Sequence, residues 1–141
     1  MYSHILVAIE NSDADRAVLA HIERLAKLTH SSVLLVHVAD GWAARHFEDL
    51  QLRESEEIRN DREYLAKLCA DFEACGIPTR ARLAMGDPAS ELVKVAADED
   101  VDLIAMSTHG HRFFNDLVRG STADRVRHSV TVPVLMVRAH A

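Results

Sequence analysis

The chain has 141 residues, 48% hydrophobic and 27% charged, with a mean hydropathy of −0.06, which is the size and mix of one soluble globular domain over 1–141. Lys and Arg number 16 against 22 Asp and Glu, and the resulting net charge of −6 argues against nucleic acid or an anionic membrane surface as partner. No apolar run approaches the ~20 residues of a membrane-spanning helix, and Ile5–Ile9, ended by Glu10, is too short for a signal peptide, so a cytoplasmic protein is expected.

His4–Ile9 is almost wholly apolar, as a strand buried on both faces should be. Ala14, Val18, Ile22, Leu25 and Leu28 then recur at helical spacing on one face, with Ser12 or Asp13 as the expected cap. Val33–Val38 is the second strand. Ala39 to Asp49 reads as a mobile loop ahead of a long helix over Leu50–Ala74, which offers Leu52, Ile58, Leu65 and Leu68 to the core. Gly76 with Pro78 stops that helix. Arg80–Ala84 alternates polar and apolar residues, the pattern of an edge strand.

Asp87-Pro88 is an N-cap followed by a proline already set for helical φ, opening a helix that buries Leu92, Val93, Ala96 and Ala97. Val101–Met106 is the fourth strand. A fourth helix starts near Gly120-Ser121-Thr122 with Val126 inward, and Val134–Val137 is the fifth strand. Strands alternating with helices predict an α/β fold: one open, doubly wound parallel sheet with helices on both faces and right-handed crossovers.

Cys69 and Cys75 read as two small free thiols, since no CxxC or Cys/His framework accompanies them. Nine histidines are scattered except for His109-Gly110-His111, with no Cys or carboxylate at metal spacing, so no metal site is expected.

Ligands of open α/β sheets bind beyond the carboxyl ends of the strands, where successive crossovers diverge. Two segments fall there. One is Glu10-Asn11-Ser12. The other is Ser107-Thr108-His109-Gly110, followed after nine residues by Gly120-Ser121-Thr122. Gly110 lets the backbone approach a ligand, and a helix opening at Gly120 would aim free N–H groups at phosphate. The same residues also read as a glycine turn and a Ser N-cap, with Asp124 completing a capping box. Spacing alone leaves both readings open.

Ile5-Leu6-Val7-Ala8-Ile9 with an acidic residue next, Leu34-Leu35-Val36-His37-Val38, Gly86-Asp87-Pro88, Asp102–Met106, Thr108-His109-Gly110, Gly120-Ser121 and Pro133–Val137 occur in this order. In this arrangement the chain resembles the universal stress protein family from Tyr2 to Arg138. The resemblance implies strand order 3-2-1-4-5 and a homodimer joined through the last strand, Val134–Val137. ATP-binding members of that family carry Gly-x-x-Gly, nine residues, then Gly-Ser/Thr. Here Gly110, the spacing, Gly120 and Ser121 are kept; Ser107 replaces the first glycine, Glu10 the usual Asp, and Asn11 the usual small residue.

By the same resemblance Ala8, Ile9 and Glu10 lie along the ribose and adenine, and Val38 meets the adenine through its backbone. Met106 and Ser107 lie under the sugar, and Gly110, His111, Gly120, Ser121 and Thr122 surround the phosphates, with Arg112 adding charge. Arg119 reads as a solvated surface arginine. Of Phe113-Phe114, at least one is expected to pack, because exposing both is costly.

The function implied is a dimeric stress-response regulator that binds ATP, with Mg at the phosphates as an option, and whose occupancy alters contacts with a regulatory protein partner. The alternatives are a dimeric interaction module that binds no nucleotide and a slow ATP hydrolase. An enzyme is not expected: there is no Walker-type Gly-x-x-x-x-Gly-Lys-Ser/Thr, and His109, His111 and Asp116 are merely near the motif. The dimer has a physical argument of its own. An apolar edge strand with unpaired N–H and C=O groups invites pairing with its copy, and Arg138-Ala139-His140-Ala141 is too short to cover it.

Overall fold

The computed structural model describes residues 1–40, 47–108 and 116–139, and the side chains of these apart from 40, 47–55 and 116–121. In chain order the elements are β1 (His4–Ile9), α1 (Asp15–Thr29), β2 (Ser32–Asp40), α2 (Phe47–Ala74), β3 (Thr79–Gly86), α3 (Pro88–Asp98), β4 (Leu103–Thr108), α4 (Asp116–Ser129) and β5 (Val134–Arg138). The five strands form one sheet in the order β3-β2-β1-β4-β5, every pairing parallel, as the alternation of strands and helices and the family resemblance imply.

The two-residue period of the strands divides the core between two faces. Ile5, Val7, Ile9, Val33 and Leu35 point to α1 and α2, where Val18, Ile22, Ala26, Leu65 and Phe72 meet them. Leu6, Leu34, Val36, Ile104 and Met106 point to α3 and α4, against Leu92, Val95 and Val126. Each such fully buried side chain contributes roughly 1.5–3 kcal/mol, so the two apolar seams hold the sheet between its helix layers.

Helix ends follow backbone chemistry. At the end of α2, Ile77 N–H reaches Phe72 C=O and Gly76 N–H reaches Glu73 C=O, with Gly76 at φ +84°, a left-handed cap that glycine adopts without strain. His30 and Asp100 adopt the same region at φ +55° and +53° to end α1 and α3. Asp87 caps α3 as expected, accepting the Ser90 N–H at 3.0 Å with Pro88 in the first turn.

Several boundaries and faces differ from expectation. The N-cap of α1 is Ala14, with no side-chain cap bond; Ser12 Oγ instead accepts the Ala14 N–H at 3.2 Å. Its inner stripe runs Asp15, Val18, Ile22, Ala26, and Leu28 is exposed. The expected loop Ala39–Asp49 is shorter, because Ala39 and Asp40 extend β2 by pairing with Met85 and Gly86 and α2 begins at Phe47; 41–46 lie outside the described residues. In α3 Val95 is buried and Ala97 exposed, since 92, 95 and 96 share the inward face. Cys69 and Cys75 are free thiols. No described helix is long and apolar enough to cross a membrane.

Candidate functional site

β1 lies between β2 and β4, so the chain leaving its carboxyl end emerges between two parallel neighbours. Here the connections diverge: α1 and α2 cover one face, α3 and α4 the other. Ala8 and Val38 are half-buried on the α3/α4 face beside buried Met106, with Ala123 of α4 in the same cluster. Ile9 is buried on the opposite face, and Glu10 follows it. Ser107 is half-buried and pairs with Val137 of β5. The structure thus brings Ala8, Ile9, Glu10, Val38, Met106 and Ser107 to one end of three adjacent strands.

The second half of the expected site is described in part. Gly110, His111 and Arg112 lie outside the described residues, as do His109 and Phe113-Phe114. The helix expected to open near Gly120 begins at Asp116, so Gly120, Ser121 and Thr122 occupy its second turn. Leu117 favours helix, and one glycine costs only about 1 kcal/mol in a helix interior, too little to hold the start back. Thr122 is half-buried.

Beneath the mouth lies a polar network that the spacing of motifs does not announce. Asp15, 1% exposed, accepts three consecutive backbone N–H groups, from Glu10 at 2.9 Å, Asn11 at 2.8 Å and Ser12 at 3.3 Å. Its Oδ2 also accepts the Tyr64 hydroxyl of α2 at 2.7 Å. Burial, and then that bond to Asp15, pushes the Tyr64 hydroxyl well above the ordinary phenol range. Asn11 takes φ +62°, a conformation asparagine tolerates better than most residues. Its side-chain amide donates to Asp61 Oδ1 at 2.9 Å. Asp61 Oδ2 in turn faces His37 Nε2 at 3.2 Å, and His37 Nδ1 sits 2.8 Å from the Ile9 carbonyl oxygen. A sequence signal exists for these residues: Asp15 continues the Val18–Ile22 stripe, and Asp61 stands four residues before Leu65, so both occupy core-facing helical positions.

A second polar junction fixes α4. Asp87 Oδ1 accepts Arg125 Nη1 at 3.1 Å and Oδ2 accepts the Ser90 hydroxyl at 2.7 Å, while Arg125 Nη2 donates to Ser90 Oγ at 3.2 Å and lies 2.9 Å from Asp87 Oδ2 as an ion pair. The Arg125 guanidinium, then the Ser90 groups, hold the Asp87 carboxyl well below the usual carboxylate range. The residue that caps α3 therefore also anchors the helix carrying Gly120. Among the described residues, no group of three or more His, Cys, Asp or Glu side chains is placed to hold a metal ion.

The model of the universal stress protein family matches residues 1–138. The chain belongs to the universal stress protein family. A universal stress protein of Methanocaldococcus jannaschii, MJ0577, is 28% identical, the match covering 98% of this chain and 96% of the relative. The solved structure of MJ0577 superposes with a TM-score of 0.83 at 26% identity, covering 100% of this chain and 99% of that one. A universal stress protein from Archaeoglobus fulgidus, solved in complex with dAMP, superposes at 0.71 with 23% identity over 96% of this chain and 98% of that one. Another universal stress protein, solved in complex with cAMP, superposes at 0.70 with 19% identity over 99% and 98%. These last two share the universal stress protein fold with this chain.

Proposed function

We propose that this chain is a homodimeric, cytoplasmic stress-response regulator that binds ATP at the carboxyl ends of β1, β2 and β4. One observation carries the reading: Ala8, Val38 and Met106 form an apolar floor on one face, and Glu10 follows directly at the end of β1. A flat adenine suits the floor, and ribose hydroxyls suit a carboxylate acceptor. For the phosphates the sequence then supplies Gly110 and, after nine residues, Gly120 and Ser121, which stand in the second turn of α4 and not at its free N-terminal N–H groups, with His111, Arg112 and Thr122 beside them. Where Mg accompanies ATP, it neutralises phosphate charge and is held mainly by the phosphates themselves. Relatives of the same fold solved with dAMP and cAMP support an adenine nucleotide as the ligand class.

In this reading the nucleotide acts as a signal rather than a substrate, altering contacts with a regulatory protein partner. Dimerisation uses the outer edge of β5, which ends the sheet and exposes Met136. Ser107, standing where nucleotide-binding relatives of this motif carry glycine, favours the second reading, a dimeric module with a closed pocket. Mass spectrometry of the denatured, purified protein for co-purified adenine nucleotide, followed by ATP calorimetry, separates the two. Gly120→Val should weaken ATP at least about tenfold, a loss near 1.4 kcal/mol; unchanged affinity would remove Gly120 from the site.

A further inference from the structure

On one face of the sheet α2 packs over β3 and β2, and α1 over β1 and β4 with one flank reaching β5. Among the described residues no third helix joins them on this face. A groove of about 380 Å³ runs between that flank of α1 and the end of β5, within the ~300–1,000 Å³ of ligand clefts. Val137 packs into the α1/α2 cluster, so the groove opens on this face and not along the outer edge of β5. It begins one strand away from the candidate nucleotide site, since Val137 pairs with Ser107.

The lining carries charge of one sign. Arg16, Arg24 and Arg138 form its rim and His21 adds a ring N–H, with no carboxylate among the lining residues. Yet acidic residues outnumber basic ones by 22 to 16 in the chain. Glu23, next to Arg24, is engaged elsewhere: it holds Lys27 at 3.0 Å and accepts the Cys75 thiol at 3.3 Å. Arg16 meets Asp13 at 3.4 Å, but both side chains are largely exposed, and such a pair is readily exchanged for another. Arg24 and Arg138 make no ion pair or side-chain hydrogen bond among the described residues.

Ala17, Ala20 and half-buried Val137 make an apolar floor between these cations. Arg16 and Arg24 stand eight residues apart, about 12 Å along the helix, a length that an extended peptide spans in about four residues. Alternate side chains of an extended chain share a face. Carboxylates at its first and fifth positions therefore reach the two arginines while the third side chain meets the floor. A bare phosphate chain would leave that floor wet. A second copy set on a two-fold axis here would place arginine against arginine.

We propose that this groove is a docking site for an extended acidic segment of a protein partner, with an apolar side chain between two carboxylates. The carboxylates pair with Arg16 and Arg24, Arg138 faces them from β5, and the apolar side chain leaves water on Ala17, Ala20 and Val137. That the partner is regulatory rests on the function proposed above; the preference for an acidic, alternating peptide needs no nucleotide.

The probe is the capped pentapeptide Glu-Ser-Leu-Ser-Glu, titrated to about 5 mM into ligand-free protein and followed by backbone-amide NMR, which reads millimolar complexes. Amides of Ala17–Arg24 and of Val137 and Arg138 should move. The Kd should rise at least about fivefold in Arg24→Glu, and as much for wild type when glutamines replace the glutamates, the scale of one exposed charge pair. Lys94→Glu, exposed on α3 across the sheet, should change nothing. Moving the leucine by one position, as Glu-Leu-Ser-Ser-Glu, turns it off the floor and should weaken binding about threefold.

Shifts confined to other amides, or no shifts, overturn the proposal. Equal affinity for the two leucine positions overturns it as well, and displacement by inorganic tripolyphosphate then marks a plain anion site. Loss of self-association by Arg24→Glu in sedimentation would assign the groove to a second copy and likewise overturn it. The peptide comparisons use the wild-type protein, so they decide the question even where Arg24→Glu does not fold. Failure of ATP binding would leave every one of these readouts in place, which separates this inference from the nucleotide reading.

Discussion

The Tyr64 hydroxyl donates to Asp15 Oδ2 across 2.7 Å, joining α1 and α2 through a carboxylate that is 1% exposed. Neither residue belongs to a motif, yet this bond secures the acceptor that holds Glu10, Asn11 and Ser12 in place.

Tyr64→Phe should keep the fold and cost about 1–2 kcal/mol in urea denaturation, because a buried carboxylate oxygen loses one donor. The wild-type phenol gives an independent check. Its ionisation is raised in the folded state, so its contribution to stability is complete below the ordinary phenol range and is lost as pH climbs above it. Alkaline absorbance titration should show Tyr64 ionising only as the protein unfolds. Ionisation of both tyrosines while the near-ultraviolet dichroism stays native would contradict this placement.

Asp15→Asn should be the more damaging change, at about 2–3 kcal/mol, since it turns an amide donor toward backbone donors that had a charged acceptor. Ser12→Ala should cost only about 0.5 kcal/mol, the low end for a side chain bonded to a helix-terminal N–H, since Ser12 is exposed and its bond to Ala14 is long at 3.2 Å. Denaturant midpoints of the two variants rank the carboxylate against the hydroxyl as the organiser of this turn; a reversed ranking would return the role to Ser12.

Arg125→Ala should lower stability by about 0.5–1 kcal/mol at neutral pH, a figure kept small because both side chains are about half exposed. Asp87 is held below its ordinary range, so its contribution is present above about pH 4 and is lost as pH falls through that region and below. The stability gap between wild type and variant should therefore narrow in acid. A gap that stays constant to low pH would mean that Arg125 acts by packing alone.

Ser107→Gly tests the departure from the nucleotide motif. If a side chain at this half-buried position crowds the ligand or strains the backbone, the glycine variant should bind ATP more tightly with its oligomeric state unchanged. Equal affinity in calorimetry would move the obstruction elsewhere, with Phe113 and Phe114 the next to change.

The two central residues of β5 should separate assembly from folding. Leu135 packs against the α1/α2 cluster, whereas Met136 is 36% exposed. Leu135→Lys should destabilise the fold by burying an unpaired charge. Met136→Lys should leave stability nearly intact and weaken the proposed dimer. Sedimentation equilibrium at roughly tens of micromolar, above the Kd of an ordinary stable dimer, reads this directly, and wild-type monomer there would exclude the dimer.

The strands were legible because fully buried strands are written as unbroken apolar runs, and Ile5–Ile9 and Val33–Val36 are such runs; their order followed from the family resemblance alone. The α3 boundary was legible because Asp87-Pro88 combines a capping side chain with a fixed φ. The start of α1 was not: Ser12, Asp13 and Asp15 are all plausible capping residues by type, and only the folded turn decides which carboxylate faces three amides. The same limit hid Asp61 and His37. Polar residues on an inward helix or strand face look like interruptions of a pattern until their partners, brought from β1 and α2, stand beside them. Of the candidate site, Ala8, Val38 and Met106, named through the family resemblance, stand together on one face at the strand ends, while Gly110 to Arg112 lie outside the described residues.

The grip of Asp15 on three successive amides has a consequence for hydrogen exchange and for the entropy of recognition. Loop amides ordinarily trade with solvent almost freely, but those of Glu10, Asn11 and Ser12 are bound to a carboxylate shielded from water and should exchange only when α1 and α2 separate. Ordering three residues costs about 1–2 kcal/mol each, and here folding has already met that cost. A ligand arriving at this end of the sheet meets a preorganised rim, so its contacts there count toward affinity rather than toward ordering the loop.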